Sequence, residues 1–197
     1  MSYLGLLNEF RYVHEVCRDP VFVRFLRGYL RHEAIPTLDP VPGVNVDAYC
    51  QQLIQRFAGV AVQDTLARLA VDGSDRIRLF LLPVVTDQLL SGRSVSHCAL
   101  VLAVWTSFLA GETEVDPSDT RLPELRDAVA AERLAPGSFL DYRPVFGDLG
   151  SDPTLRASYL EAREALRQRG AFGAILQLLE ADDDADTRCS GVQEHRE

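Results

Sequence analysis

The sequence predicts an all-α domain. Three observations carry that reading. Apolar residues recur at helical spacing in one segment after another, Asp19-Pro20 and Asp152-Pro153 each supply a cap followed by a first-turn proline, and one long apolar stretch suits a central buried helix. A chain of 197 residues is long enough for one domain with a sizeable core, and too short for a dinucleotide-binding domain plus a substrate domain. Residues 1–180 are read as the helical domain. Residues 181–197 are Asp-rich and lack apolar anchors, so they are read as an acidic, disordered tail.

The elements follow in order. Leu4, Leu7, Phe10, Val13 and Val16 lie three apart, the stripe of one amphipathic helix over 3–17, with His14 beside it as a partly buried structural histidine. Asp19-Pro20 opens a second helix over 20–34, with Phe22, Phe25, Leu26, Tyr29 and Leu30 inward. Residues 36–46 hold three prolines and a glycine and form an ordered connector. Asp47 caps a helix carrying Tyr49, Leu53, Ile54 and Phe57, which Gly59-Val60 breaks. A helix with Arg68 and a polar turn at Asp72-Gly73-Ser74 follow, then a helix over 77–90 that Pro83 should kink.

Ser94 caps the long apolar helix over 95–110, and Trp105 belongs to its core. Residues 111–120 are polar and read as a surface loop, followed by a helix over 122–134 and a packing segment with Tyr142, Val145 and Phe146. The last helices cover 153–169 and, after Gly170, 171–180.

Composition removes several functions. A net charge of -9 repels polyanions, so nucleic acid is excluded as a partner. All 20 basic residues are arginine, so no lysine of this chain serves as a Schiff base or general base. Cys17, Cys50, Cys98 and Cys189 lie far apart without metal-ligand spacing, the pattern of reduced cysteines in a cytoplasmic protein. His195 within the Asp-rich tail makes no specific metal site. The longest apolar run, Cys98 to Ala110, is too short to span a bilayer.

The chemistry-bearing stretch is Arg56 to Pro83. Arg68 sits on one helix and Arg76 on the first turn of the next, so two guanidinium groups lie near one turn. Such forks donate well to vicinal hydroxyls or a carboxylate, which makes the turn a candidate contact for a small polyoxygenated ligand. From the residues alone, Asp64 and Arg68, four apart, form a surface salt bridge, and Asp72 and Ser74 serve as caps.

The same stretch resembles the C-terminal domain of the mannitol dehydrogenase family, the long-chain polyol and hexuronate dehydrogenases. The resemblance rests on Arg56-Phe57, Asp64-x-x-x-Arg68, Asp72-Gly73-Ser74 with Arg76 two positions on, and Leu81-Leu82-Pro83. It extends to Tyr3-Leu4-Gly5, Arg11-Tyr12-Val13-His14-Glu15, Asp19-Pro20-Val21-Phe22, Pro36-Thr37-Leu38, Pro40-Val41-Pro42-Gly43 and Phe146-Gly147-Asp148-Leu149, all in family order. Gly59-Val60 departs from the family's usual Asn-Pro.

The resemblance implies a multi-helix fold of the 6-phosphogluconate-dehydrogenase-like type, with no Rossmann domain in this chain. It implies that Arg68 faces the substrate, a polyol or sugar acid, and that Arg76 stands where the family has a substrate-side lysine, with Asp72 beside them. The wider, planar guanidinium at Arg76 shifts substrate preference. The family's base is a lysine in a Lys-x-x-x-x-Asn-x-x-His run immediately before the Tyr-Leu-Gly segment, and NAD or NADP is held mainly by a dinucleotide-binding domain further upstream. Neither that run nor a Gly-x-Gly-x-x-Gly turn occurs in these residues.

The resemblance therefore implies the substrate-side domain of a polyol/ketone oxidoreductase (mannitol/fructose or mannonate/fructuronate type), truncated before its catalytic run and inactive alone, with a possible dinucleotide-binding partner chain. The alternative is a non-catalytic helical binding or interaction module derived from the family. A third reading, an independent enzyme using Arg, Asp and His, has only scattered residues behind it.

Overall fold

A computed structural model describes residues 1–40, 42–61 and 63–193, the last five as backbone only. The all-α expectation holds: the described residues form helices joined by turns, and the one β-contact among them is an isolated antiparallel bridge between Tyr12 and Thr65. Their order is α1 (Ser2–Leu7), α2 (Val13–Val16), α3 (Pro20–Gly28), α4 (Val46–Phe57), α5 (Leu66–Leu69), α6 (Gly73–Arg76), α7 (Leu82–Leu90), α8 (Ser96–Leu109), α9 (Leu122–Leu134), α10 (Arg143–Phe146) and α11 (Pro153–Gln193). A π-helical turn extends α3 over Tyr29–Ala34, and another precedes α7 over Ile77–Leu81.

Helix α8 is the axis of the domain. It is apolar on nearly every face, and α11 and α1 pack along it. Leu102, Trp105 and Phe108 are buried, and the Trp105 indole meets Phe139 edge to face at 5.3 Å. Thr106, a polar group inside, is paired: it donates to the Leu102 carbonyl at 3.0 Å and shares a 3.0 Å hydrogen bond with the Tyr159 hydroxyl of α11. Pairing of this kind removes most of the penalty of burying a hydroxyl.

Local start signals act as expected at α3, where Asp19 Oδ1 accepts from Val21 N and Phe22 N at 2.9 and 3.2 Å, and at α11, where Asp152 Oδ1 accepts from Thr154 N and Leu155 N. Elsewhere the structure corrects the sequence reading. The stripe over 3–17 is two helices, because Glu9 takes φ 64° and the chain then bonds to the 64–66 segment: Val13 N donates to Asp64 O at 3.0 Å, and Leu66 N to Arg11 O at 2.9 Å. The cap of α4 is Asn45, which accepts from Ala48 N at 2.9 Å, and Asp47 falls in the first turn. Pro83 lies in the first turn of α7, and the bond it cannot make is absorbed by the π-turn before it.

The C-terminal segment is the largest departure. Gly170 breaks α11 at φ 68°, ψ 178°, but helical backbone then continues past Ala181 to Gln193 instead of dissolving into a tail. Asp182, Asp183 and Asp186 find His97, Arg24 and Arg31 as partners, which composition alone does not reveal. The 194–197 end of the expected tail, His195 with it, and the Cys189 side chain lie outside the described residues.

Cys17, Cys50 and Cys98 are free thiols. No helix among the described residues is long and apolar enough to cross a membrane. Truncating Leu102, fully buried at the centre of α8, is expected to cost about 2–5 kcal/mol of unfolding free energy. Urea denaturation of Leu102→Ala should show a lowered midpoint with an unchanged slope.

Candidate functional site

The turn between α5 and α6 is built from three parts of the chain. Thr65 caps α5 by accepting from Arg68 N at 3.3 Å, and the Tyr12–Thr65 bridge ties its entry to the N-terminal segment. Asp72 then takes left-handed geometry at φ 50°. Its amide donates to Ser118 O at 2.9 Å, and its Oδ1 accepts from Thr120 N at 3.2 Å. Gly73 follows where no side chain fits: a Cβ there would stand 2.4 Å from Tyr3 Oη and 2.7 Å from Trp105 Nε1. Ser74 is buried, and both its amide and its hydroxyl donate to Asp119, at 2.8 and 2.7 Å.

Asp119 is thus the clamp of the turn, and the sequence reading, which saw only a surface loop over 111–120, missed it. Its Oδ1 also accepts from Arg121 N at 2.9 Å, so one carboxylate joins α6 to the start of α9. The signal present in the sequence was an Asp shortly before Leu122-Pro123, a helix-start pattern like that at Asp19-Pro20. Tyr3, from α1, points at the same place. Its buried hydroxyl lies 3.5 Å from Ala70 O; burial, with the nearby Asp119 charge, pushes the phenol well above its ordinary range, and Arg76 opposes the shift.

The two arginines flank this turn and both are exposed. Arg68 is bidentate to Asp64, with Nε at 2.5 Å from Oδ1 and Nη2 on Oδ2, and these bonds hold the Asp64 carboxyl below its usual range. The salt bridge read from the residues alone is therefore present. Arg76 folds back so that Nε donates to Val71 O at 2.9 Å. The open groove of about 1000 Å³ beside the turn is lined by Leu6, Phe10, Arg11, Thr65, Ala67 and the 111–115 segment, and by neither arginine. Asp72 makes the main-chain contacts of a turn residue. Among the described residues, no group of three or more His, Cys, Asp or Glu gathers to hold a metal.

This fold has known counterparts. The family model described as the mannitol dehydrogenase C-terminal domain matches residues 1–167. The chain belongs to that family.

Mannitol 2-dehydrogenase of Phaeosphaeria nodorum is 35% identical over 181 residues, 90% of this chain and 32% of that protein. Mannitol 2-dehydrogenase of Pyrenophora tritici-repentis is 33% identical over 179 residues, covering 89% of this chain and 31% of its own length. Among solved structures, Pseudomonas fluorescens mannitol 2-dehydrogenase in ternary complex with NAD and D-mannitol superposes with a TM-score of 0.84 at 32% identity, over 91% of this chain and 37% of that one. The chain thus spans about a third of the length of these relatives.

Asp119→Ala leaves the Ser74 amide and hydroxyl without their acceptor. It is expected to lower stability by about 1–3 kcal/mol, measured by urea unfolding. Asp119→Asn, which keeps one acceptor oxygen, should lose less.

Proposed function

We propose that this domain forms the substrate-facing side of an NAD- or NADP-dependent oxidoreductase that interconverts a polyol or sugar-acid secondary alcohol and its ketone, of mannitol/fructose or mannonate/fructuronate type. The observation that carries this reading is the 0.84 superposition on a mannitol 2-dehydrogenase holding NAD and D-mannitol. Oxidising a secondary alcohol needs a base for the hydroxyl proton, donors for the developing alkoxide and a fixed hydride acceptor. The 197 residues contain no lysine and no glycine-rich dinucleotide turn. Base, alkoxide donors and nucleotide cradle therefore come from sequence beyond these residues, in the same polypeptide or in a dinucleotide-binding partner chain, and these residues alone do not turn over a polyol.

Arg68, Arg76 and Asp72 are the proposed substrate-binding residues. Arg68 has a side-chain exposure of 66%, so its pairing with Asp64 is a solvated contact that water and salt weaken. A substrate hydroxyl can share that guanidinium without a large loss, and Asp64 meanwhile fixes the direction of the fork. Arg76 is held by a single carbonyl, leaving its terminal nitrogens as donors. Leu79 and Phe80, just beyond it, are 55% and 70% exposed, which suits a surface that another domain covers. The free thiols of Cys17, Cys50 and Cys98 suit a reducing, cytoplasmic setting.

A second reading, the non-catalytic helical module, is favoured by one observation: both guanidinium groups already hold a protein acceptor. A fusion distinguishes the two. Residues 1–180 are placed in Pseudomonas fluorescens mannitol 2-dehydrogenase instead of its matching region, and NADH formation is followed with mannitol, other pentitols and hexitols, and mannonate. Turnover is expected from the fusion and not from the 197-residue chain alone. Arg68→Ala in the fusion should raise the polyol KM roughly tenfold to a hundredfold, the worth of a charge-assisted hydrogen bond, with NAD affinity unchanged. A folded fusion that binds NAD yet oxidises none of these substrates supports the module instead.

A further inference from the structure

The outer end of α11 contributes no described side chain to the buried core. After the break at Gly170, Ala171, Ala174, Ile175 and Leu179 are buried against the core, but no residue from Glu180 to Arg188 is. That stretch meets the domain through three acids. Asp182 Oδ2 lies 3.2 Å from His97 Nε2, Asp183 Oδ2 is 2.9 Å from Arg24 Nη2, and Asp186 Oδ2 is 3.0 Å from Arg31 Nη1.

The first contact differs from the other two. The His97 side chain is 2% exposed, and on its other side Nδ1 lies 3.4 Å from Glu33 Oε1 of a fully buried carboxylate. Nε2 and Asp182 Oδ2 are themselves buried and face each other without aligned hydrogen-bond geometry, while the rest of the Asp182 side chain is 23% exposed, so their attraction is that of two charges at the edge of the core. Space for the approach comes from Gly28: a Cβ there would stand 2.6 Å from His97 Nε2 and 3.1 Å from Asp182 Oδ2. The rings of Phe25 and His32 flank the imidazole at 5.3 and 6.2 Å.

We propose that Glu33, His97 and Asp182 form a buried latch whose imidazolium holds the acidic end of the C-terminal helix on the domain, and that residues 181–188 detach as a unit when that charge is lost. The groups facing His97 are Glu33 from the π-turn, Asp182 from α11 and His32 beside it, with the Cys98 thiol and Tyr29 hydroxyl close to Glu33. Burial pushes the thiol and the phenol up, so both stay neutral around pH 7. For His97, burial opposes the charge, but Asp182 and Glu33 outweigh it and hold the group at about 9. An unfolded histidine titrates near 6.5. The latch therefore contributes fully below about pH 6.5 and is lost as pH rises through about 9.

The outer pairs respond to a different variable. The Arg24 and Arg31 side chains are 52% and 71% exposed, so salt screens their bonds to Asp183 and Asp186 while leaving the buried latch nearly intact. The arm is anchored at one buried point and steadied by two exposed ones.

The test uses the full 197-residue chain, with a histidine NMR titration and amide exchange read by mass spectrometry. The His97 ring is expected to titrate near 9, and at pH 7 His97→Gln, Asp182→Asn and Gly28→Ala should each speed exchange in 181–188 at least tenfold while α8 exchange in Asp182→Asn and Gly28→Ala stays slow. Gly28→Ala keeps every charge and only inserts a methyl group between the partners, so it separates the latch from general destabilisation by an unpaired carboxylate. Raising salt to about 0.5 M should loosen Asp183 and Asp186 without moving the His97 titration. A His97 ring that titrates near 6.5 in the unaltered chain, or exchange in 181–188 equal in the unaltered chain and in Asp182→Asn and Gly28→Ala, overturns the proposal.

Discussion

Helix α8 enters the interior within its first turn, and the amides of the buried His97 and Cys98 must find acceptors there. The first turn of any helix leaves its N–H groups without partners, and an unpaired buried donor costs as much as a lost hydrogen bond. Glu33 meets that need: Oε1 accepts from His97 N at 2.7 Å and Oε2 from Cys98 N at 2.9 Å. A negative charge at this end also suits the positive pole of the helix dipole. The core stacks on α8, so the placement of one carboxylate conditions the packing of Leu102, Trp105 and Phe108. The π-turn that delivers Glu33 leaves carbonyls at His32 and Glu33 for the buried Gln88 amide, which donates to both. Arg93 in turn donates to Gln88 Oε1 at 2.7 Å.

The same device recurs wherever the domain turns sharply. Glu132, nearly buried, accepts from Gly137 N and Phe139 N at 2.8 and 2.9 Å, closing the turn after α9. Asp119 does so for Ser74. These acids explain which parts of the fold were legible in the sequence. Asp19 and Asp152 act two and three residues away, within reach of a local pattern, and both could be read directly. Glu33 acts on residues 64 and 65 positions on, and Asp119 on one 45 positions back. Nothing in a local window distinguishes such an acid from a solvated one, so α8 was credited to Ser94, whose hydroxyl reaches only Ser96.

Periodicity failed for a related reason. Leu4 through Val16 keep their spacing, and the run from Ile77 to Leu90 is largely apolar, yet each is interrupted. At Glu9 the chain bonds to the 64–66 segment instead of to its own previous turn, and the gain is two main-chain hydrogen bonds plus the Tyr12–Thr65 bridge. At Pro83 the missing amide widens the preceding turn. In the first case the stripe stays inward, with Leu4, Val13 and Val16 buried and Leu7 and Phe10 partly so, and only the boundaries were not legible. The candidate site divides likewise. The salt bridge of Asp64 with Arg68 follows from spacing, whereas the return of Arg76 onto Val71 depends on a turn closed from 119.

That closure gives the turn unequal halves. Its inner side is fixed: Gly73 lies against Tyr3 and Trp105 with no room for a methyl group, Ser74 is buried on Asp119, and Asp72 holds a left-handed conformation that costs of order 1 kcal/mol and persists because its amide and carboxylate are both bonded to the 118–120 segment. Its outer side is two solvated guanidinium groups, Arg68 paired with Asp64 and Arg76 with the Val71 carbonyl. A rigid backbone beneath adjustable donors loses little conformational entropy on engaging a ligand, since only the side chains remain to be ordered. Strain lies on the buried side of the turn and side-chain freedom on the exposed one. The buried part of the arrangement, Gly73, Ser74 and Asp119, tolerates change least, because each of its atoms answers to the core as well as to the turn.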